Sequence, residues 1–138
     1  MPLQYNCLTD YNTWVIMRTV TSKNTPRWQV VYYRDRQGRH PVREFLDSLS
    51  ATDRAKVRNA LRLLREFGVL LQMPHARPVS GHRRLWELRA GAIRLFYFAH
   101  TGQQFIILHA FRKKSQRIPA QEIAIAERRM TEILEEEQ

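Results

Sequence analysis

Three short segments place cationic, acidic and aromatic side chains at alternate positions. They are Leu85-Trp86-Glu87-Leu88-Arg89, Ile93-Arg94-Leu95-Phe96-Tyr97 and Leu108-His109-Ala110-Phe111-Arg112-Lys113. In an extended chain alternate side chains share a face. Glu87 and Arg89 then point one way while Trp86 and Leu88 point the other. Arg94 shares its face with Phe96 and Phe98, and His109, Phe111 and Lys113 alternate with Leu108, Ala110 and Arg112. If the three segments are neighbours in one sheet, a single face gathers Glu87, Arg89, Arg94, His109 and Lys113 around Phe111.

That set of side chains suits RNA. Arginine and lysine hold the phosphate backbone, and aromatic rings stack on unpaired bases. It also suits cleavage of a phosphodiester by the RNA's own 2′-hydroxyl. Such a reaction needs a base for the hydroxyl, cations for the charge that grows on the phosphate, and an acid for the leaving 5′-oxygen. His109 titrates in the right range for proton transfer. Glu87 reads as a partner that orients an arginine, because an unpaired carboxylate would repel phosphate. Further RNA contacts are expected from Arg84, Phe111 and Lys114, and from Arg58, Arg62 and Arg65 on a solvated helix face.

The elements that must position these groups are legible in outline. Residues 1–26 read as a flexible arm rich in Asn, Thr and Ser, with one short strand at Trp14–Met17, and residues 27–138 as the folded domain. Trp28–Tyr33 is a β-branched and aromatic run ended by the turn signal Asp35-Arg36-Gln37-Gly38. Pro41 opens a short helix carrying Val42, Phe45, Leu46 and Leu49 at helical spacing. Ser50 and Asp53 resemble a capping box for a second helix, which buries Val57, Ala60, Leu61 and Leu64 and stops at Gly68. Two helices joined so closely form an antiparallel hairpin.

Residues 69–83 read as a loop. Three strands then follow at Arg84–Ala90, Ala92–Ala99 and Gln104–Phe111, with turns at Ala90-Gly91 and His100-Thr101-Gly102. A last helix after Pro119 carries Ile123, Ala126, Met130, Ile133 and Leu134 on one side. Its end, Glu135-Glu136-Glu137, is acidic where the helix dipole favours cations, so the final turn is expected to fray. The order β-α-α-β-β-β-α predicts an α+β domain: a mostly antiparallel sheet whose apolar face receives the helices.

Composition bounds the rest. The chain has 138 residues, one cysteine and a formal net charge of +10. Cys7 alone forms no internal disulfide, and no apolar run approaches the ~20 residues of a membrane span, so a reducing cytoplasm is expected. Residues 25–115 carry a net charge of +12 and residues 116–138 a net of −3. The positive excess predicts a polyanionic partner. His40, His75, His82 and His100 fall in turns and loops without zinc spacing, so no metal site and no cofactor are expected.

The segment Leu-Trp-Glu-Leu-Arg, followed by Ile93-Arg94-Leu95-Phe96-Tyr97 and by Phe111-Arg112-Lys113-Lys114-Ser115-Gln116 with Pro119, resembles the phage-derived HigB-like branch of the RelE/ParE toxins. The likeness runs from about Trp28 to Met130. It implies a small sheet cradled by a helical hairpin and a carboxy-terminal helix. It also implies a type II toxin that cuts mRNA on the ribosome without a metal, silenced by a co-encoded helix-turn-helix antitoxin of the HigA kind. By that resemblance Arg89 and Arg94 hold the scissile phosphate, and Lys113 takes the place of a catalytic Arg or Lys. Ile118-Pro119 stands where RelE members carry a base-stacking tyrosine, which leaves the acid–base step to His109 or another basic group. Two other readings share the resemblance or the charge: a ParE-like gyrase inhibitor without nuclease activity, and a non-catalytic basic RNA-binding module.

Overall fold

The computed structural model describes residues 28–137, so the arm at 1–26 and its strand at Trp14–Met17 lie outside the described residues. The elements are β1 (Gln29–Tyr32), α1 (Pro41–Asp47), α2 (Ala51–Phe67), a 3-10 turn (Gly68–Leu70), β2 (Ala76–Pro78), β3 (Trp86–Ala90), β4 (Ile93–His100), β5 (Gln104–Arg112) and α3 (Ala120–Glu136). Local chemistry accounts for the hairpin. Pro41 opens α1, and the Ser50 hydroxyl accepts the Asp53 N–H at 3.2 Å to cap α2.

The five strands run in the order β1-β5-β4-β3-β2, with β1 parallel to β5 and every other pair antiparallel. Here the expected loop at 69–83 needs correction: it contains both the 3-10 turn and the edge strand β2. Pro78 closes that strand, which fits an edge position where one N–H can be spared.

A second correction concerns the layers. Helices cover both faces of the sheet. The α1–α2 hairpin packs on Leu88, Ala90, Ile93, Leu95, Tyr97, Phe105, Ile107 and Ala110. Helix α3 packs on the other face, where Ala126 and Met130 meet Phe96, Phe98, Ile106, Leu108 and Phe111. The second cover is needed because the face that carries Arg94 also carries these large apolar side chains, and leaving them wet would be costly.

A third correction is one of phase. Phe96 pairs with His109 but Tyr97 pairs with Ile107, which leaves Leu108 as an extra residue in β5. The bulge turns both Leu108 and His109 toward α3. Simple alternation had placed them on opposite faces, and one inserted residue shifts the phase.

The acidic end of α3 is held in place, contrary to the expectation of fraying. Tyr33 donates to Glu132 at 2.6 Å, Arg36 lies 3.8 Å from Glu136, and His100 is bonded to Glu137. These partners on the sheet side outweigh the unfavourable helix dipole.

Gly68 ends α2 with φ +57°, and a Cβ there would lie 2.2 Å from Nε1 of Trp28. Trp28 itself stacks on Phe105 with centroids 4.3 Å apart. Gly68→Ala should therefore cost roughly 2–4 kcal/mol, from backbone strain plus overpacking. Gly81→Ala, at φ +80° with open space around it, should cost only about 1 kcal/mol. Urea unfolding of the two variants tests the difference; equal costs would contradict the Trp28 contact.

Candidate active site

Glu87 is the only acidic side chain among the described residues with no solvent exposure at all. It sits mid-strand in β3, directly across from Arg77 in β2 and Phe96 in β4. The Arg77 Nε donates to Glu87 Oε1 at 2.7 Å. On the other side Arg94 Nε approaches Glu87 Oε2 at 3.4 Å, and neither of these two atoms has a hydrogen-bond partner. A buried carboxylate persists only when cations compensate it.

Arg94 is itself 7% exposed. Its Nη1 donates to the carbonyls of Gly91 and Ile93, at 2.5 and 3.1 Å, which ties it to the β3–β4 turn. Burial pushes its pKa down from the ordinary arginine value, Glu87 works against that, and the charges of Arg89 and Arg77 push the same way as burial. Arg89 is the direct cross-strand partner of Arg94 and is half-buried. Facing like charges repel, so this end of the sheet concentrates positive potential. Two guanidinium groups flank one carboxylate, while the Arg89 Nη1 lies 3.7 Å from Met73 Sδ.

Lys113 follows β5, and its N–H donates to Ala92 O at 2.8 Å, which sets it beside the same turn. Lys114 next to it is exposed. His109 lies diagonally from Arg94, one step along the face, roughly 7–8 Å by strand geometry. Its Nε2 is 2.6 Å from Glu122 Oε1, at the start of α3. Burial lowers the His109 pKa from its ordinary value, and the bond and charge of Glu122 oppose this without reversing it.

The structure therefore brings Arg89, Arg94, His109 and Lys113 to one end of one face. It does not bring the other expected RNA contacts there. Phe111 is buried beneath α3, 5.3 Å from Phe96 and 5.8 Å from His109 by ring centroids, so its ring is part of the core and not an open stacking surface. Arg84 lies at the far end of β4, roughly 16 Å away at ~3.3 Å per residue. There its guanidinium covers Phe98 and donates to Ala99 O. Arg58, Arg62 and Arg65 stand on α2, which covers the opposite face; Arg62 is shared between Asn59 and Glu66. Arg77 was missed from sequence because it fell in the presumed loop. The available signal was the alternation Ala76-Arg77-Pro78 ahead of Val79.

Among the described residues no three His, Cys, Asp or Glu side chains are grouped to hold a metal ion, and no helix is long and apolar enough to cross a membrane. Residues 44–131, from α1 through most of α3, match the family described as phage derived protein Gp49-like (DUF891). The chain belongs to the Gp49-like family. Within this Gp49-like sequence the match spans every candidate residue named above. A solved structure, the archaeal RelE–RelB complex from Pyrococcus horikoshii OT3, is similar at 17% identity and a TM-score of 0.49, over 65% of this chain and 98% of that one. No curated protein matches the sequence.

The His109 environment has a pH consequence. Its folded pKa lies below the ordinary value of about 6.5, so the unfolded chain binds the proton first as pH falls. The neutral form's contribution to stability is complete above about pH 6.5 and is lost as pH drops toward the lowered folded value. Wild type should lose more melting temperature between pH 7.5 and 5.5 than His109→Gln does. Equal losses would show that His109 is not buried neutral.

Proposed function

We propose that this protein is an endoribonuclease toxin of a toxin–antitoxin pair, cutting mRNA on the ribosome by attack of the 2′-hydroxyl on the adjacent phosphate. The observation that carries the reading is the cross-strand pair Arg89–Arg94 at the open turn end of the sheet. Two arginines in cross-strand register on one face repel each other and favour an anion that both can reach. Lys113 beside the turn adds a third cation.

In this mechanism the 2′-oxygen bonds to phosphorus as the bond to the 5′-oxygen breaks, giving a 2′,3′-cyclic phosphate and a free 5′-hydroxyl. Arg89, Arg94 and Lys113 stabilise the second negative charge that develops on the phosphate. His109, neutral at physiological pH, takes the 2′-hydroxyl proton, and a protonated basic group or water returns one to the leaving oxygen. No metal is required, so a chelator leaves the rate unchanged. The partners on this reading are the ribosome with its mRNA and a helix-turn-helix antitoxin encoded next to the gene.

A second reading, a basic RNA-binding module, is favoured by one fact: Nε2 of His109 is already bonded to Glu122. Induced expression followed by mapping of mRNA 5′ ends separates the two. Codon-phased cuts are expected, and Arg94→Gln should reduce them at least ~10²-fold with the fold intact by circular dichroism. Intact mRNA beside trapped gyrase–DNA breaks, or intact mRNA with normal growth, would refute the nuclease.

A further inference from the structure

Glu87 and Arg77 have no part in the reaction as described, yet they are joined to Arg94: Arg77 bonds Glu87 at 2.7 Å, and Glu87 approaches the Arg94 Nε at 3.4 Å. Glu87 is enclosed on all sides, and its two oxygens are divided between the Nε groups of Arg77 and Arg94. That division fixes which edge of each guanidinium faces inward. Arg94 has Nη1 on the turn carbonyls and Nε beside Glu87, and its Nη2 has no acceptor among the described residues. Arg77 has only Nε engaged, and its side chain is 42% exposed, so both its Nη groups are available to a ligand.

The charge count points the same way. Arg77, Arg89, Arg94 and Lys113 against Glu87 leave three positive charges uncompensated. A phosphodiester brings one negative charge and its pentacovalent transition state two. The cluster is thus matched to the transition state better than to the ground state, which is the arrangement that accelerates a reaction.

We infer that Glu87 is a positioning residue that presets the guanidinium groups of Arg77 and Arg94, and that Arg77 is a further phosphate-binding residue at this site. The inference deepens the nuclease reading and rests on it for the catalytic role, while phosphate binding by Arg77 is open to measurement without cleavage. Glu87 works through its two arginines and never meets the RNA. Its carboxylate lets a buried Arg94 stay charged and aimed.

The test combines two measurements on the full chain. The first is single-turnover cleavage of ribosome-bound mRNA by wild type, Arg94→Gln, Arg77→Gln, Arg77→Lys and Glu87→Gln, with kcat and KM separated and melting temperatures recorded. The second is the salt dependence of binding to a short single-stranded RNA whose 2′-hydroxyls are methylated. Arg77→Gln should lower kcat ~10–100-fold and reduce the salt slope by about one phosphate contact, while Arg77→Lys restores part of both. Glu87→Gln should lower kcat with KM nearly unchanged. Arg77 is half-exposed at the sheet edge, so its variants remain informative if Glu87→Gln fails to fold.

Wild-type kcat and salt slope in Arg77→Gln, beside an inactive Arg94→Gln, would overturn the inference and leave the nuclease reading standing. No cleavage by wild type would overturn the nuclease reading and with it the catalytic role of both residues. The salt slope would then decide phosphate binding by Arg77 alone.

Discussion

Glu87 is surrounded by protein on every side, and a carboxylate in that position is tolerated only with cations at its oxygens. The short edge strand β2 exists in a form that delivers one of them, with Arg77 in register across from Glu87. The turn between β3 and β4 delivers the other, because its carbonyls hold the Arg94 head group in place. Removing either arginine would leave the other as the single cation at the buried carboxylate. Sheet edge, turn and charge cluster are therefore one cooperative unit, and the cross-strand Arg89 adds the unbalanced charge.

Much of this was legible in the sequence, and the rest fails for identifiable reasons. The helical hairpin follows from apolar spacing and from the Ser50 cap; the three-strand meander follows from alternation and tight turns. Grouping Glu87, Arg89 and Arg94 on one face needed only the two-residue period, and that grouping stands. At the bulge the period fails for one residue: alternation sets Leu108 opposite His109, and the inserted residue turns both toward α3. Strand β2 was hidden because three residues flanked by proline and glycine signals look like a loop until a partner strand pairs with them. Phe111 was judged by its neighbours in sequence, whereas its burial is set by α3, more than ten residues further on.

The acidic tail also gains a structural meaning. Glu122, Glu127, Glu132 and Glu137 meet His109, His82, Tyr33 and His100 respectively, so the negative segment adds polar ties to the apolar packing that holds α3 on the sheet. Arg129 adds a bond to Leu108 O at the bulge. The charge imbalance along the chain is thus partly internal: carboxylates from one end neutralise or hydrogen-bond groups on the sheet, while Arg77 and Arg94 share the single carboxylate of Glu87.

A strand with an inserted residue carries two independent phases of alternation. In β5, Phe105 and Ile107 are set against the hairpin before the bulge, while Ala110 is set against it after the bulge. The segment beyond Leu108 can accordingly change its polar residues, as a lineage drifts, without altering how the earlier half is packed. Loss of Leu108 would close the bulge into plain alternation, keeping His109 and Phe111 toward α3 and removing one buried apolar side chain from beneath that helix.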